Sequence, residues 1–197
     1  MNLIYVRPKI SYVSVVLNIE VRESPKEACA MYDYAEVMIR RAELGEVDLV
    51  KAIVVEAYKP VKKQLSRTPA ALNEGLSKIS RHIQMGDQYV ALVGEQIVGT
   101  MRVRLSGKTG VIARLAVLEK FRGRRIGTLL MQYAENLLSS RGAQVVEVEV
   151  YGAIEAQLSF YEGLGYEETG RTKRLGEVIV SMQKSLLEEL VEEEEDL

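Results

Sequence analysis

Residues 110–142 constrain this chain more than any other stretch, and they read GVIARLAVLEKFRGRRIGTLLMQYAENLLSSRG. Residues 111–118 have the make-up of a short strand. A polar turn follows at Glu119, Lys120 and Phe121, and then a basic, glycine-bearing run from Arg122 to Thr128. Next, Ile126, Leu129, Leu130, Tyr133, Leu137 and Leu138 recur at helical spacing and form one apolar stripe. Gly142 supplies a C-terminal stop. A strand therefore feeds a glycine-rich turn that opens a helix. The first N–H groups of such a helix have no internal partner and point outward with the positive end of its dipole. Gly123 and Gly127 allow close backbone approach. Arg122, Arg124 and Arg125 add positive charge. The arrangement suits an anion with several oxygens, most simply a pyrophosphate. A surface helix with a basic first turn would read the same way from this stretch alone.

The rest of the chain alternates strands and helices around this unit. Residues 37–41 fit a first strand. Leu44, Val47, Leu49, Val50, Ile53, Val54 and Ala57 follow helical spacing up to Pro60, which is expected to close that helix. Thr68-Pro69 is expected to open a second helix with Leu72, Leu76, Ile79 and Ile83 on its stripe. Strands at 88–93 and 96–105 meet across Gly94-Glu95, a hairpin signal. A strand at 145–151 follows the central helix. Strand, helix, strand at this length is a crossover, so the strands flanking 122–142 should run parallel. A short helix at 154–163 and strands at 166–171 and 178–182 complete the sheet.

Two motifs carry a family resemblance. RLAVLEKFRGRRIGTLL resembles the cofactor-binding motif of the GCN5-related N-acetyltransferases (GNAT), whose pattern is Gln/Arg-x-x-Gly-x-Gly/Ala between the fourth strand and third helix. LSFYEGLGYEETGR, about forty residues on, resembles that family's C-terminal signature. The likeness covers roughly residues 36–183. Arg125 stands where the family has its middle glycine. Ile154 stands where it often has an Asn seven residues before the signature Tyr. The resemblance implies an α/β (α+β) fold: a mixed, mostly antiparallel central sheet with a splayed parallel strand pair and helices on both faces. It implies three segments: an N-terminal extension at 1–35, an acetyltransferase domain at 36–183 and an acidic tail at 184–197.

It also implies a chemistry, which is acetyl transfer from acetyl-CoA to a primary amine by direct attack on the thioester. Residues Arg122, Gly123, Arg124, Arg125, Ile126, Gly127 and Thr128 would grip the cofactor. The backbone of Leu115, Ala116 and Val117 would receive its pantetheine arm, with one N–H polarising the thioester carbonyl. Tyr161 stands at the family's position for the proton donor to the leaving thiolate. Glu147 and Glu149 share one face of their strand and are candidate bases, directly or through water; each reads more simply as a solvated surface acid. Arg114 and Tyr151 are candidates to line the acceptor site. Residues 58–82 would border it, with His82 read either as a base or as a surface residue. Tyr166 falls where the family often has Phe, so its hydroxyl is expected to be dispensable. A non-catalytic acyl-CoA-sensing or interaction module on the same fold is the alternative class. Nucleic-acid binding by RGRR is a weaker idea, because the run is short and lacks interleaved aromatics.

Bulk properties limit the remaining classes. The 197 residues suit one domain, and 47% hydrophobic with 27% charged residues is ordinary for a globular protein. One cysteine, Cys29, and one histidine, His82, leave no basis for a disulfide or a metal site within this chain. No stretch approaches the roughly 20 apolar residues of a membrane span. The opening residues do not read as a signal peptide, so the cytoplasm is the expected compartment. Residues 188–197 carry seven acids and no base; without them the net charge would be +5 rather than −2, which suits an anionic cofactor. The tail reads as a solvated helix end or as a competitor for the basic loop. In residues 12–22 apolar and polar residues alternate, as in a half-buried strand. That segment is an edge strand, a homodimerisation arm or an interaction segment, or else lies upstream of a natural start at Met31.

Overall fold

The computed structural model describes residues 37–187. The expected strand at 12–22 and the acidic residues 188–197 lie outside them. In chain order the elements are β1 (Val37–Arg41), α1 (Val47–Lys62), α2 (Leu76–Gln84), β2 (Gln88–Val93), β3 (Gln96–Ser106), β4 (Thr109–Val117), α3 (Ile126–Ser140), β5 (Val145–Tyr151), α4 (Glu155–Glu162), β6 (Glu167–Arg174) and β7 (Glu177–Ser185). The strands form one sheet in the order β1-β2-β3-β4-β5-β7-β6. Among the described residues only β4 and β5 pair in parallel, across the α3 crossover as expected. The last strand inserts between β5 and β6, so β6 is an edge.

Side-chain alternation distributes the core. Tyr89 and Ala91 of β2 face α3, while Val90 and Leu92 face Val50 of α1 and Ile79 and Ile83 of α2. Val146, Val148 and Val150 of β5 share the first face with Leu130, Met131, Ala134 and Leu138 of α3. Those four α3 side chains are fully buried. The larger ones each contribute about 1.5–3 kcal/mol. Helices thus cover both faces, α3 and α4 on one and α1 and α2 on the other. No helix among the described residues is long and apolar enough to cross a membrane.

Two expected boundaries move. Pro60 lies inside α1 rather than closing it. Proline removes one N–H, and the final turn closes without it through Lys63 N to Pro60 O (3.2 Å) and Gln64 N to Val61 O (3.0 Å). Thr68-Pro69 begins isolated turns, and α2 starts only at Leu76. Lys51 explains the delay. Its Nζ donates to the carbonyls of Leu72 and Glu74, 2.7 Å each, and holds that segment off the helical path.

The same segment buries a carboxylate. Glu74 is 5% exposed. Its oxygens accept from Arg102 Nη1 (2.9 Å) and Nη2 (3.3 Å) and from Arg114 Nε (3.2 Å), and Lys78 Nζ lies 3.4 Å away. Burial alone would raise its pKa, but the hydrogen bonds and charge of Arg102, followed by those of Arg114, outweigh it and hold Glu74 at about 2 instead of 4.5. A depressed carboxylate pKa stabilises the fold above about pH 4.5 and loses that contribution as pH falls toward 2. Glu74→Gln is expected to cost about 2–4 kcal/mol at pH 7, since it leaves the buried Arg102 guanidinium and the half-buried Arg114 without their anion. Urea unfolding between pH 7 and 3 checks this: the stability gap to wild type should narrow with acid, and a gap independent of pH would contradict the assignment.

Candidate active site

A cleft opens where β4 and β5 part. The two strands pair only at Thr109–Val145, Gly110–Val146 and Val111–Glu147. The cause lies in β4. Its register against β3 shifts between Thr100 and Arg102, and Arg114 adopts a left-handed φ of 57°. A bulged residue of this kind bends its strand and steepens the twist. Beyond Val111 the β4 edge that faces β5 has no strand partner among the described residues. The resulting cleft measures about 580 Å³. Its walls are Tyr58 and Val61 of α1, Leu115, Ala116 and Val117 of β4, the turn before α3, Glu149 of β5, and Ile154 and Tyr161 at α4.

The turn before α3 is built from left-handed residues. Gly123 has φ 75°, with open space where a Cβ would project. Arg125, the N-cap of α3, has φ 58°. Helical bonding starts with Leu129 N to Arg125 O at 2.9 Å. Among the described residues, nothing accepts from the backbone N–H groups of Gly123, Arg124, Arg125, Ile126, Gly127 and Thr128. These donors form a concavity fit for an anion. Gly127 serves a different purpose. A Cβ there would lie 3.3 Å from the Phe160 ring, so glycine lets α3 approach α4.

The three arginines divide their work. Arg122 straps the turn to its surroundings, with Nε donating to Val117 O (3.2 Å) and Nη2 to Ala57 O (3.3 Å). Arg124 lies over the Phe121 ring, 5.4 Å from its centroid, and does not line the cleft. Arg125 lines it with an exposed side chain.

Tyr161 also lines the cleft, 9% exposed and packed edge-on against Phe160 and Tyr166. Among the described residues its hydroxyl has no hydrogen-bond partner. Burial, and then the neighbouring Tyr58, push its pKa well above the usual tyrosine range. Tyr161 therefore stays a neutral donor at any physiological pH. The two candidate acids separate. Glu149 lines the cleft and pairs with Arg174, Nη1 at 3.0 Å. Glu147 does not line it and accepts from Gln183 Nε2 at 3.1 Å.

Other expectations meet a definite geometry. His82 lies outside the cleft, half-buried, with Nδ1 3.4 Å from Asp87 Oδ2; burial and then Arg102 lower its pKa. Tyr166, whose hydroxyl was expected to be dispensable, is buried and donates to Glu135 Oε1 at 3.0 Å, while Lys184 holds the other oxygen at 2.8 Å. Glu74, Arg102 and Arg174 had no signal in the sequence, because their partners lie 25 to 40 residues away. Tyr58 was foreseen only as the start of a bordering segment, and it lines the cleft with its pKa raised by burial.

Arg125 sits where a side chain is strained, since the left-handed conformation costs an L-residue about 1–2 kcal/mol. Arg125→Gly keeps the N–H and removes that strain, at some cost in unfolded-state entropy. It is expected to raise stability by about 0.5–1 kcal/mol in urea unfolding. A loss of stability would show that the arginine side chain holds the turn.

A family model described as an acetyltransferase (GNAT) domain matches residues 85–168. An uncharacterized N-acetyltransferase of Chlorobaculum tepidum is 30% identical over 135 residues, 68% of this chain and 77% of that protein. N-alpha-acetyltransferase 30 of Schizosaccharomyces pombe is 36% identical over 83 residues, 40% of this chain; the chain spans only about half of that relative, 55% of its length. Among solved structures, the PaiA N-acetyltransferase of Thermoplasma acidophilum in complex with coenzyme A superposes with a TM-score of 0.67 at 15% identity, covering 76% of this chain and 98% of that one. Ard1 of Thermoplasma volcanium gives 0.63 at 20% identity, covering 77% and 99%. At these identities the structures establish the fold. The chain belongs to the GCN5-related N-acetyltransferase (GNAT) family.

Proposed function

We propose that this protein is an acetyl-CoA-dependent N-acetyltransferase whose acceptor is a primary amine, in the first instance the α-amino group of a polypeptide. One observation carries the reading. Among the described residues, a single cleft is lined by Gly123 and residues 125–128 with their unbonded N–H groups, by the unpaired edge of β4 and by Tyr161, whose hydroxyl has no partner. The residues present fit coenzyme A. The left-handed turn offers a concave row of donors to a pyrophosphate, and open space at Gly123 leaves the approach clear. The β4 edge at Leu115, Ala116 and Val117 offers strand-like donors and acceptors to the amide-bearing arm. When bound, acetyl-CoA supplies the activated acetyl group.

The protein's own part follows from these groups. The turn binds and the β4 edge orients. A β4 N–H facing the cleft polarises the carbonyl under attack. Tyr161 donates its proton to the departing sulfur, whose reference thiol pKa is about 8.5; with its own pKa raised, it is never ionised beforehand. Glu149 is the acid placed to take the amine's proton, directly or through water. Deprotonating a lysine (about 10.4) at pH 7 costs roughly 4.6 kcal/mol, against about 1.1 for an α-amine (about 7.8). Because Glu149 is shared with Arg174, the easier acceptor is favoured. The name of the relative N-alpha-acetyltransferase 30 agrees with that preference.

Turnover of acetyl-CoA with a panel of free N-terminal peptides, N-blocked lysine peptides and small amines tests the reading. Activity is expected with the free N-termini first. Tight acetyl-CoA binding without turnover on any amine would favour the acyl-CoA-sensing module instead. Tyr161→Phe is expected to lower the maximal rate about ten- to a thousandfold while acetyl-CoA affinity changes less than threefold, since the hydroxyl acts only as sulfur departs. A wild-type rate in that variant, where chemistry limits turnover, would make Tyr161 a packing residue. Tyr166→Phe serves as the structural comparison and should cost about 1 kcal/mol of stability through the lost Glu135 bond.

A further inference from the structure

The hairpin joining β6 and β7 reaches both the α1–α2 loop and Glu149, a residue of the cleft wall. Arg174 and Glu177 are paired across it, and the two residues between them, Leu175 (φ 50°) and Gly176 (φ 89°), are both left-handed, so it is a tight two-residue turn. Two acidic contacts meet at this tip. Glu177 Oε1 accepts from Ser66 N (2.7 Å), Ser66 Oγ (2.6 Å) and Arg67 N (3.1 Å), which ties the tip to the α1–α2 loop. Arg174 reaches the other way and forks onto both oxygens of Glu149 on β5.

Among the described residues, Glu149 is the one carboxylate that lines the cleft. An amine with a pKa between about 7.8 and 10.4 arrives at neutral pH mostly as an ammonium ion. A cation entering this cleft needs the carboxylate that Arg174 already holds. The pair is well exposed, with side chains 56% and 42% accessible. Exposed pairs are weak and readily exchanged. Release also leaves the hairpin in place, because β6–β7 pairing and the Glu177 clasp do not depend on Arg174.

We propose that Glu149 is the subsite for the acceptor's ammonium group and that Arg174 is its resident counter-ion, displaced when the acceptor arrives. The inference rests on the amine-acceptor reading above and adds a residue that sets acceptor affinity. Arg174 acts through Glu149 and is a positioning residue.

The test titrates n-butylammonium chloride into the full-length protein and follows the backbone amide shifts of β5, for wild type, Arg174→Ala, Glu149→Gln and the double variant. Arg174→Ala is expected to tighten binding about two- to fivefold, the scale on which exposed pairs compete. Glu149→Gln should weaken it at least fivefold and abolish the effect of Arg174→Ala. Acceptor KM should follow the same order. Unchanged or weaker binding in Arg174→Ala would overturn the proposal, as would tightening that persists in the Glu149→Gln background. If wild type transfers acetyl to no amine while this order of affinities holds, the transferase reading falls and the ammonium subsite stands.

Discussion

The site depends on one strained residue. Arg114 takes a left-handed conformation in the middle of β4, and the strand leaves its parallel partner three residues earlier. Such a conformation persists only where surrounding structure fixes it. Here the fixing group is Glu74, which holds Arg114 Nε at 3.2 Å and Arg102 through both its oxygens. Glu74 comes from the segment that Lys51 pins in front of α2. The bent strand and the α1–α2 connection therefore meet at one buried ion cluster. A buried charge cluster is a poor source of net stability. Its contribution here is geometric, because it selects the one arrangement in which β4 bends.

Much of the architecture was legible because it rests on local chemistry. Val146, Val148 and Val150 announced a strand with one buried face, and the helical recurrence from Ile126 to Leu138 announced α3. The crossover rule then fixed β4 and β5 as parallel. The hairpin at Gly94-Glu95 was equally local. Element ends were less legible where a distant side chain intervened. Lys51 delays α2, and no neighbouring residue records that.

The site was legible in part. The turn before α3 carries its glycines in sequence, so its row of N–H groups could be read in advance. The reasons for the two glycines could not: Gly123 answers to a backbone angle and Gly127 to a ring on another helix. The bulge had no glycine to mark it, since an arginine occupies the left-handed position. Glu147 and Glu149 looked equivalent from their spacing. Only the third dimension gives one to Gln183 and the other to the cleft.

Gly127 and Phe160 set the spacing of two walls of the cleft. Phe160 precedes Tyr161 on α4, and Gly127 belongs to the first turn of α3. A Cβ at Gly127 would lie 3.3 Å from the Phe160 ring, so a side chain there would have to shift the ring. The gauge of the cleft between the first turn of α3 and Tyr161 is thus tied to the seat of one phenyl ring.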